Sequence, residues 1–124
     1  MSLITINPQY PDVYFELLLV EAKRGEPGPV LSIERIEAKL ENGVYTYRGG
    51  FKTNANTLMV SMARNSTGEN LSRAMACLEK DIPAATEKMR ADILKEARHR
   101  AEYYQKMVAH FEQEVVPTNE RYYC

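Results

Sequence analysis

The sequence predicts an α+β protein: an N-terminal antiparallel sheet of four to five strands, then a shorter helix, then one long C-terminal helix. Three observations predict it. Runs rich in β-branched, aromatic and aliphatic residues fill positions 1–62. Asn42-Gly43 separates two such runs, and that dipeptide favours the positive φ angles of a two-residue hairpin turn. From Pro83 to Val116 apolar residues recur every three or four positions with nothing to break a helix. At 124 residues the chain reads as a single domain, 1–124. Its expected parts are a sheet half (1–62), a helical half (66–116) and a C-terminal arm (117–124).

"LITI" opens the sheet and stops at Asn7-Pro8. "DVYFELLLVEAKR" follows, closed by "GEPGP". Strand side chains alternate, so Val13, Phe15, Leu17 and Leu19 share one face. Leu18, Val20 and Ala22 make the other face partly apolar, so the strand expects cover on both sides: a helix on one, perhaps another subunit on the other. "SIERIEAKL" has helical spacing at Ile33, Ile36 and Leu40, but the Asn42-Gly43 turn after it argues for strand. Gly49-Gly50 suggests a bulge or a close backbone approach. "NTLMVSMA" completes the expected sheet.

Ser66 or Thr67 is placed to cap a helix through "ENLSRAMACLEKD", with Leu71, Met75 and Leu78 as its apolar stripe. Pro83 fits a first helical turn, with Asp81 before it as a cap or kink. The long helix then carries Met89, Ile93, Ala97, Tyr104, Val108, Phe111 and Val115 on one stripe, and Arg100 falls among them. Residues 83–116 would span ~50 Å as a helix, whereas strands run ~17–20 Å. One helix end must therefore project. A second copy of the chain is the economical cover for Val108, Phe111 and Val115, since soluble oligomers are mostly symmetric; a bend over the sheet is the alternative.

The net charge is −1. Residues 1–60 hold six basic and seven acidic groups, and residues 61–124 hold ten of each. Such a balance gives no basic field for long nucleic acid. No basic-then-apolar start and no apolar run of ~20 residues is present, so neither export nor a membrane partner is expected, and a cytoplasmic location is. Cys77 and Cys124 have no metal-like spacing and are expected as reduced thiols. Asn65-Ser-Thr matches a glycosylation acceptor, which means little without a secretory signal.

Three groups of residues suit anion chemistry. In "MARNSTGENLSRAM", a helix start offers free N–H groups and a positive dipole end. Asn65, Ser66 and Thr67 supply amides and hydroxyls there, and Arg64 and Arg73 flank them as a clamp. The pattern lacks a P-loop signature, and a plain helix cap is the competing reading. In "RHRAEYY", Arg98 and Arg100 suit phosphates and Tyr104 suits stacking on a base. An arginine on a buried stripe usually has an anionic partner, either a ligand or a carboxylate of another chain. Arg48 and Lys52 bracket Gly49-Gly50, a third and weaker group, where a solvated turn is the alternative. Arg98 with Glu102 has surface-pair spacing.

Catalytic and metal signatures are missing. His99 and His110 lie ~16 Å apart along one helix, and there is no Gly-x-Ser-x-Gly or His-Glu-x-x-His. Asp92 and Glu96 stand one turn apart, where pairs with Lys88 and Lys95 compete with cation binding. Neither an enzyme nor a resident cofactor or metal is expected.

A strand-rich half followed by a broken helix and a long helix resembles the phage anti-Thoeris sponges, which sequester cyclic ADP-ribose-type signals and in some cases cyclic oligonucleotides. "MSLITINPQYPDVYFELLLVEAKRG" is similar in the same way. The resemblance is one of architecture, covers most of the chain and carries no binding residue across. It implies a non-enzymatic homo-oligomer that captures a phosphate-bearing nucleotide-like signal and so blocks a bacterial antiphage response. The alternative expectation is an inhibitor that occludes a larger protein with its sheet edge or projecting helix.

Overall fold

A computed structural model describes residues 7–21, 27–64 and 71–117. The "LITI" run, Asn65, Ser66, Thr67 and Cys124 lie outside the described residues. Six strands form one antiparallel sheet: β1 (Asp12–Val20), β2 (Val30–Glu41), β3 (Val44–Tyr47), β4 (Phe51–Asn54), β5 (Met62–Ala63) and β6 (Ser72–Cys77). Their order across the sheet is β4-β3-β2-β1-β6-β5. One helix, α1 (Ile82–Phe111), follows.

The β2–β3 hairpin forms as expected, with φ of 52° at Asn42 and 75° at Gly43. That turn brings Ala38 to Glu41 against Val44 to Tyr47. Gly49-Gly50 makes no bulge. Both glycines take positive φ in a tight turn joining β3 to β4. The expected strand in "NTLMVSMA" is mostly a strap. Residues 55–61 leave β4 and run to the far edge of the sheet, touching β6 through an isolated bridge of Leu58 with Ala76 before Met62 and Ala63 pair with Ala74 and Arg73. Met59 holds the strap: its N–H donates to the Ala76 carbonyl at 2.7 Å, and its own carbonyl accepts from Lys88 Nζ at 2.7 Å. Its φ of 65° is a left-handed conformation that costs a non-glycine residue ~1–2 kcal/mol.

The shorter helix expected around Leu71, Met75 and Leu78 is a strand. Phe15, Leu17 and Leu19 on β1 stand opposite Cys77, Met75 and Arg73 on β6. Burial decides it: with a period of two, Met75 and Cys77 both enter the core while Ala74 and Ala76 face away. Tertiary pairing overrides the helical propensity of Ala, Met and Leu. The sheet thus extends into the segment expected to be helical.

The face of β1 carrying Phe15, Leu17 and Leu19 is buried with Met75, Cys77, Ala85 and Met89. That is α1 lying over β1 and β6. On the other face Tyr14, Ala38 and Tyr45 are buried, with Leu58 and Ala55 of the strap region packed beside them. The cover expected on the second face of β1 therefore comes from the chain itself at this end. Burial drives the Tyr14 hydroxyl pKa up to about 12.

Helix α1 has Pro83 in its first turn, as the sequence suggests, but no side-chain bond from Asp81 caps it. It ends at Phe111 rather than Val116, so its 30 residues span ~45 Å. Only its first half packs: Ala85 and Met89 are buried, whereas Val108 is 57% and Phe111 70% exposed. The projecting end argued from length is present. No helix among the described residues is long and apolar enough to cross a membrane.

Candidate functional site

The candidate residues divide between two sides of the sheet. Ala63 pairs with Arg73. Arg64, one residue on, lines a groove on the opposite face beside Glu16, Ala74 and Ala76. Two backbone-level contacts fix it there: Arg64 N–H to the Ser72 carbonyl at 3.5 Å, and the Ser72 hydroxyl donating to the Arg64 carbonyl. Arg73 instead points to the α1 side. Arg64 and Arg73 do not form the clamp that the linear sequence suggests, because strand pairing turns neighbouring positions to opposite faces.

Arg73 joins the other cluster. Its guanidinium donates to Glu96 Oε2 at 2.5 Å, and that of Arg100 donates to Glu96 Oε1 at 3.0 Å. The Arg73 side chain is only 11% exposed. One carboxylate therefore bridges two arginines, one on β6 and one on α1. The hydrogen bond from Arg73, reinforced by Arg100, holds the Glu96 carboxyl below its usual range, against a smaller upward push from burial. The stripe arginine does have an anionic partner, and it is a carboxylate of its own chain, one turn back.

Beside this bridge runs an open cleft of about 680 Å³ lined by Arg73, Asp92, Lys95, Glu96, Arg98 and His99, reaching Glu102. Arg98 and Arg100 part company here. Two residues apart on a helix, they do not face the same way: Arg98 lines the cleft, and Arg100 lies on the stripe towards the sheet. Tyr104 is not in the cleft wall. It is exposed and packs edge-on against Tyr103, ring centroids 5.6 Å apart. Glu102 pairs with Lys106 at 3.4 Å, not with Arg98. Of the carboxylate pair, Glu96 is engaged by Arg73 and Arg100, and Lys88 donates to the Met59 carbonyl; among the described residues no group of three or more His, Cys, Asp or Glu side chains could hold a metal.

The cleft offers Arg73, Lys95 and Arg98 as cations and Asp92, Glu96 and Glu102 as carboxylates. Near-balanced charge of this kind recognises a ligand by placement of single groups rather than by a broad field. Arg98 and Lys95 suit an anionic oxygen, and His99 adds a donor or acceptor. Glu96, which the sequence offers only as half of a carboxylate pair with Asp92, lines the cleft together with Lys95, His99 and Glu102, none of them in the expected binding set. The spacing of four between Glu96 and Arg100 was a usable signal.

The third group, Arg48 and Lys52, is split by the β3–β4 turn. Arg48 borders a cleft of about 520 Å³ with Tyr10, Tyr47 and Phe51. Tyr47 and Phe51 stack, with centroids 5.7 Å apart and planes at 23°.

Comparison with models of known families, with curated proteins and with solved structures finds no match to the chain.

Proposed function

We propose that the protein is a non-enzymatic, oligomeric binding protein that captures a phosphate-bearing nucleotide-like molecule. The carrying observation is that the arginine-lined cleft runs along α1 to Glu102, where the helix has already left the sheet and presents Tyr103, Tyr104, Val108 and Phe111 to solvent. A second copy covering that helix end would also wall the cleft. Capture then needs only fixed charge: Arg98 and Lys95 on phosphate oxygens, and the tyrosines on a base. Sequestration of a cyclic ADP-ribose-type or cyclic oligonucleotide signal against a bacterial antiphage response is the role we propose; it rests on the cleft's fixed charges and on the resemblance drawn from the sequence, from which the broken shorter helix is now removed.

Native mass spectrometry of protein taken directly from cells reads stoichiometry and retained ligand together. The expected spectrum shows a homo-oligomer carrying a small anionic molecule, released unchanged on heating. A cleaved product after incubation with a candidate cyclic nucleotide would replace this reading with an enzymatic one.

One observation favours a second reading. Glu96 already engages Arg73 and Arg100, which leaves those two arginines in a structural role. On that reading the projecting helix and sheet edge occlude a protein partner, and the same spectrum would carry a second polypeptide and no small molecule.

A further inference from the structure

The Arg73–Glu96–Arg100 bridge is part of the cleft wall, because Arg73 and Glu96 both line the cleft. It is not sealed: the Glu96 side chain keeps 31% of its surface in solvent. On α1 the cleft residues fall in two rows of helical spacing. The half-buried Asp92 and Glu96 make the row nearer the sheet, and the exposed Lys95, Arg98 and Glu102 make the outer row. The cleft therefore has cations at two places. Among the described residues no ion pair engages Lys95 or Arg98 in the outer row. At the inner place, Arg73 is engaged by a carboxylate of its own chain.

The bridge is built so that Arg73 can change partners without stranding a charge. Arg73 Nη2 donates to Glu96, while Nη1 donates to the Ser72 carbonyl at 2.8 Å. The Ser72 bond orients the guanidinium independently of Glu96. Arg100 stands one turn from Glu96 on the same helix, at 3.0 Å, so helix geometry alone keeps that pair together. When another anion takes Nη2 of Arg73, Glu96 stays with Arg100 and Arg73 stays with Ser72. An uncompensated charge is what makes a half-buried ion pair costly to open, and none is left here.

We propose that Glu96 is a placeholder for a second phosphate of the captured ligand. The first phosphate lies on Lys95 and Arg98. The second takes Arg73 from Glu96, and the carboxylate remains on Arg100. This rests on the capture reading above and narrows its ligand to one with two phosphoryl groups. A ligand held by its first phosphate presents the second at an effective concentration of roughly millimolar or more, which lets it compete with a tethered carboxylate. A single phosphate has no such help, so Glu96 screens it out and determines specificity.

The test is calorimetry with inorganic pyrophosphate. Glu96→Gln removes the competing charge in advance and should tighten pyrophosphate binding about tenfold over wild type, equivalent to ~1.4 kcal/mol. Asp92→Asn removes the same charge from the same row but leaves the bridge, and should change the affinity by less than about threefold, as expected for a screened neighbour. Adding Arg73→Gln to Glu96→Gln should erase the gain, with circular dichroism checking the fold; the Asp92→Asn comparison decides without that double variant. No gain from Glu96→Gln, an equal gain from Asp92→Asn, or a gain that survives Arg73→Gln would each overturn the proposal. So would absence of pyrophosphate binding by every protein. Capture is judged separately, by the molecule retained in native mass spectrometry. A retained ligand with one phosphate would overturn the placeholder and leave capture standing.

Discussion

Arg73 and Arg100 hold opposite oxygens of the one Glu96 carboxylate, at 2.5 and 3.0 Å. This bridge ties the edge region of the sheet to the point where α1 leaves it. Because the arginines keep Glu96 ionised, its folded pKa lies below its unfolded value. Its contribution is therefore present above the unfolded value of ~4.3 and lost as pH falls through the folded one. Glu96→Gln should cost up to ~1 kcal/mol at neutral pH, since the pair is partly screened. It should also flatten the fall in stability below about pH 4.3. Urea melts of both proteins across that range check it, and parallel acid slopes would count against the bridge.

Met89 is fully buried between α1 and the sheet, among Phe15, Leu17 and Met75. Met89→Ala should destabilise the chain by ~2–5 kcal/mol, the usual range for emptying such a site. A denaturant midpoint close to wild type would mean that α1 does not dock as described.

Phe111 sits at the other end of the same helix, exposed and touching only the edge of the His110 ring among the described aromatic contacts. Phe111→Asp should change the stability of the chain by no more than ~0.5 kcal/mol, yet lower the mass of the wild-type assembly. Unchanged light scattering would remove the helix end from the interface.

The split of Arg64 from Arg73 gives a clean comparison of binding. Arg98→Ala should weaken capture of a cyclic dinucleotide ~10- to 150-fold, if a charge-assisted contact of ~1.5–3 kcal/mol is lost. Arg64→Ala should leave it unchanged. The reverse pattern in calorimetry would move the ligand to the groove on the opposite face.

Cys77 is buried, and burial with Asp81 nearby pushes its thiol pKa up. In a Cys124→Ser background the remaining thiol should resist alkylation at neutral pH until urea opens the core. Rapid labelling of the folded protein would contradict that packing.

Much of this architecture was legible because it rests on local chemistry. Asn42-Gly43 specified the hairpin, and that turn correctly overruled the helical spacing of Ile33, Ile36 and Leu40. The unbroken run after Pro83 specified the helix, and its length alone implied an overhang. Leu71, Met75 and Leu78 misled because their spacing fits a helix, while only pairing with β1 reveals the period-two pattern of Met75 and Cys77. The site suffered from the same error. With Arg73 on a strand rather than a helix, its side chain reverses face, leaves Arg64 and reaches Glu96, 23 positions away. No local pattern encodes that meeting.

The overhang also makes α1 two different objects on the timescale of amide exchange. Around Ala85 and Met89 the N–H groups open only when the sheet comes away. Beyond Arg100 the described helix side chains are exposed apart from a half-buried Met107, and segments shorter than ~12–15 residues without packing are marginal in water. Deuterium should therefore enter quickly from the Phe111 end and slow towards Ile93. Whatever seats on Tyr104, Val108 and Phe111 has to quench that fraying first, which takes back part of its binding free energy as ordering entropy. A slowed exchange front would locate the occupant along the helix before its identity is known.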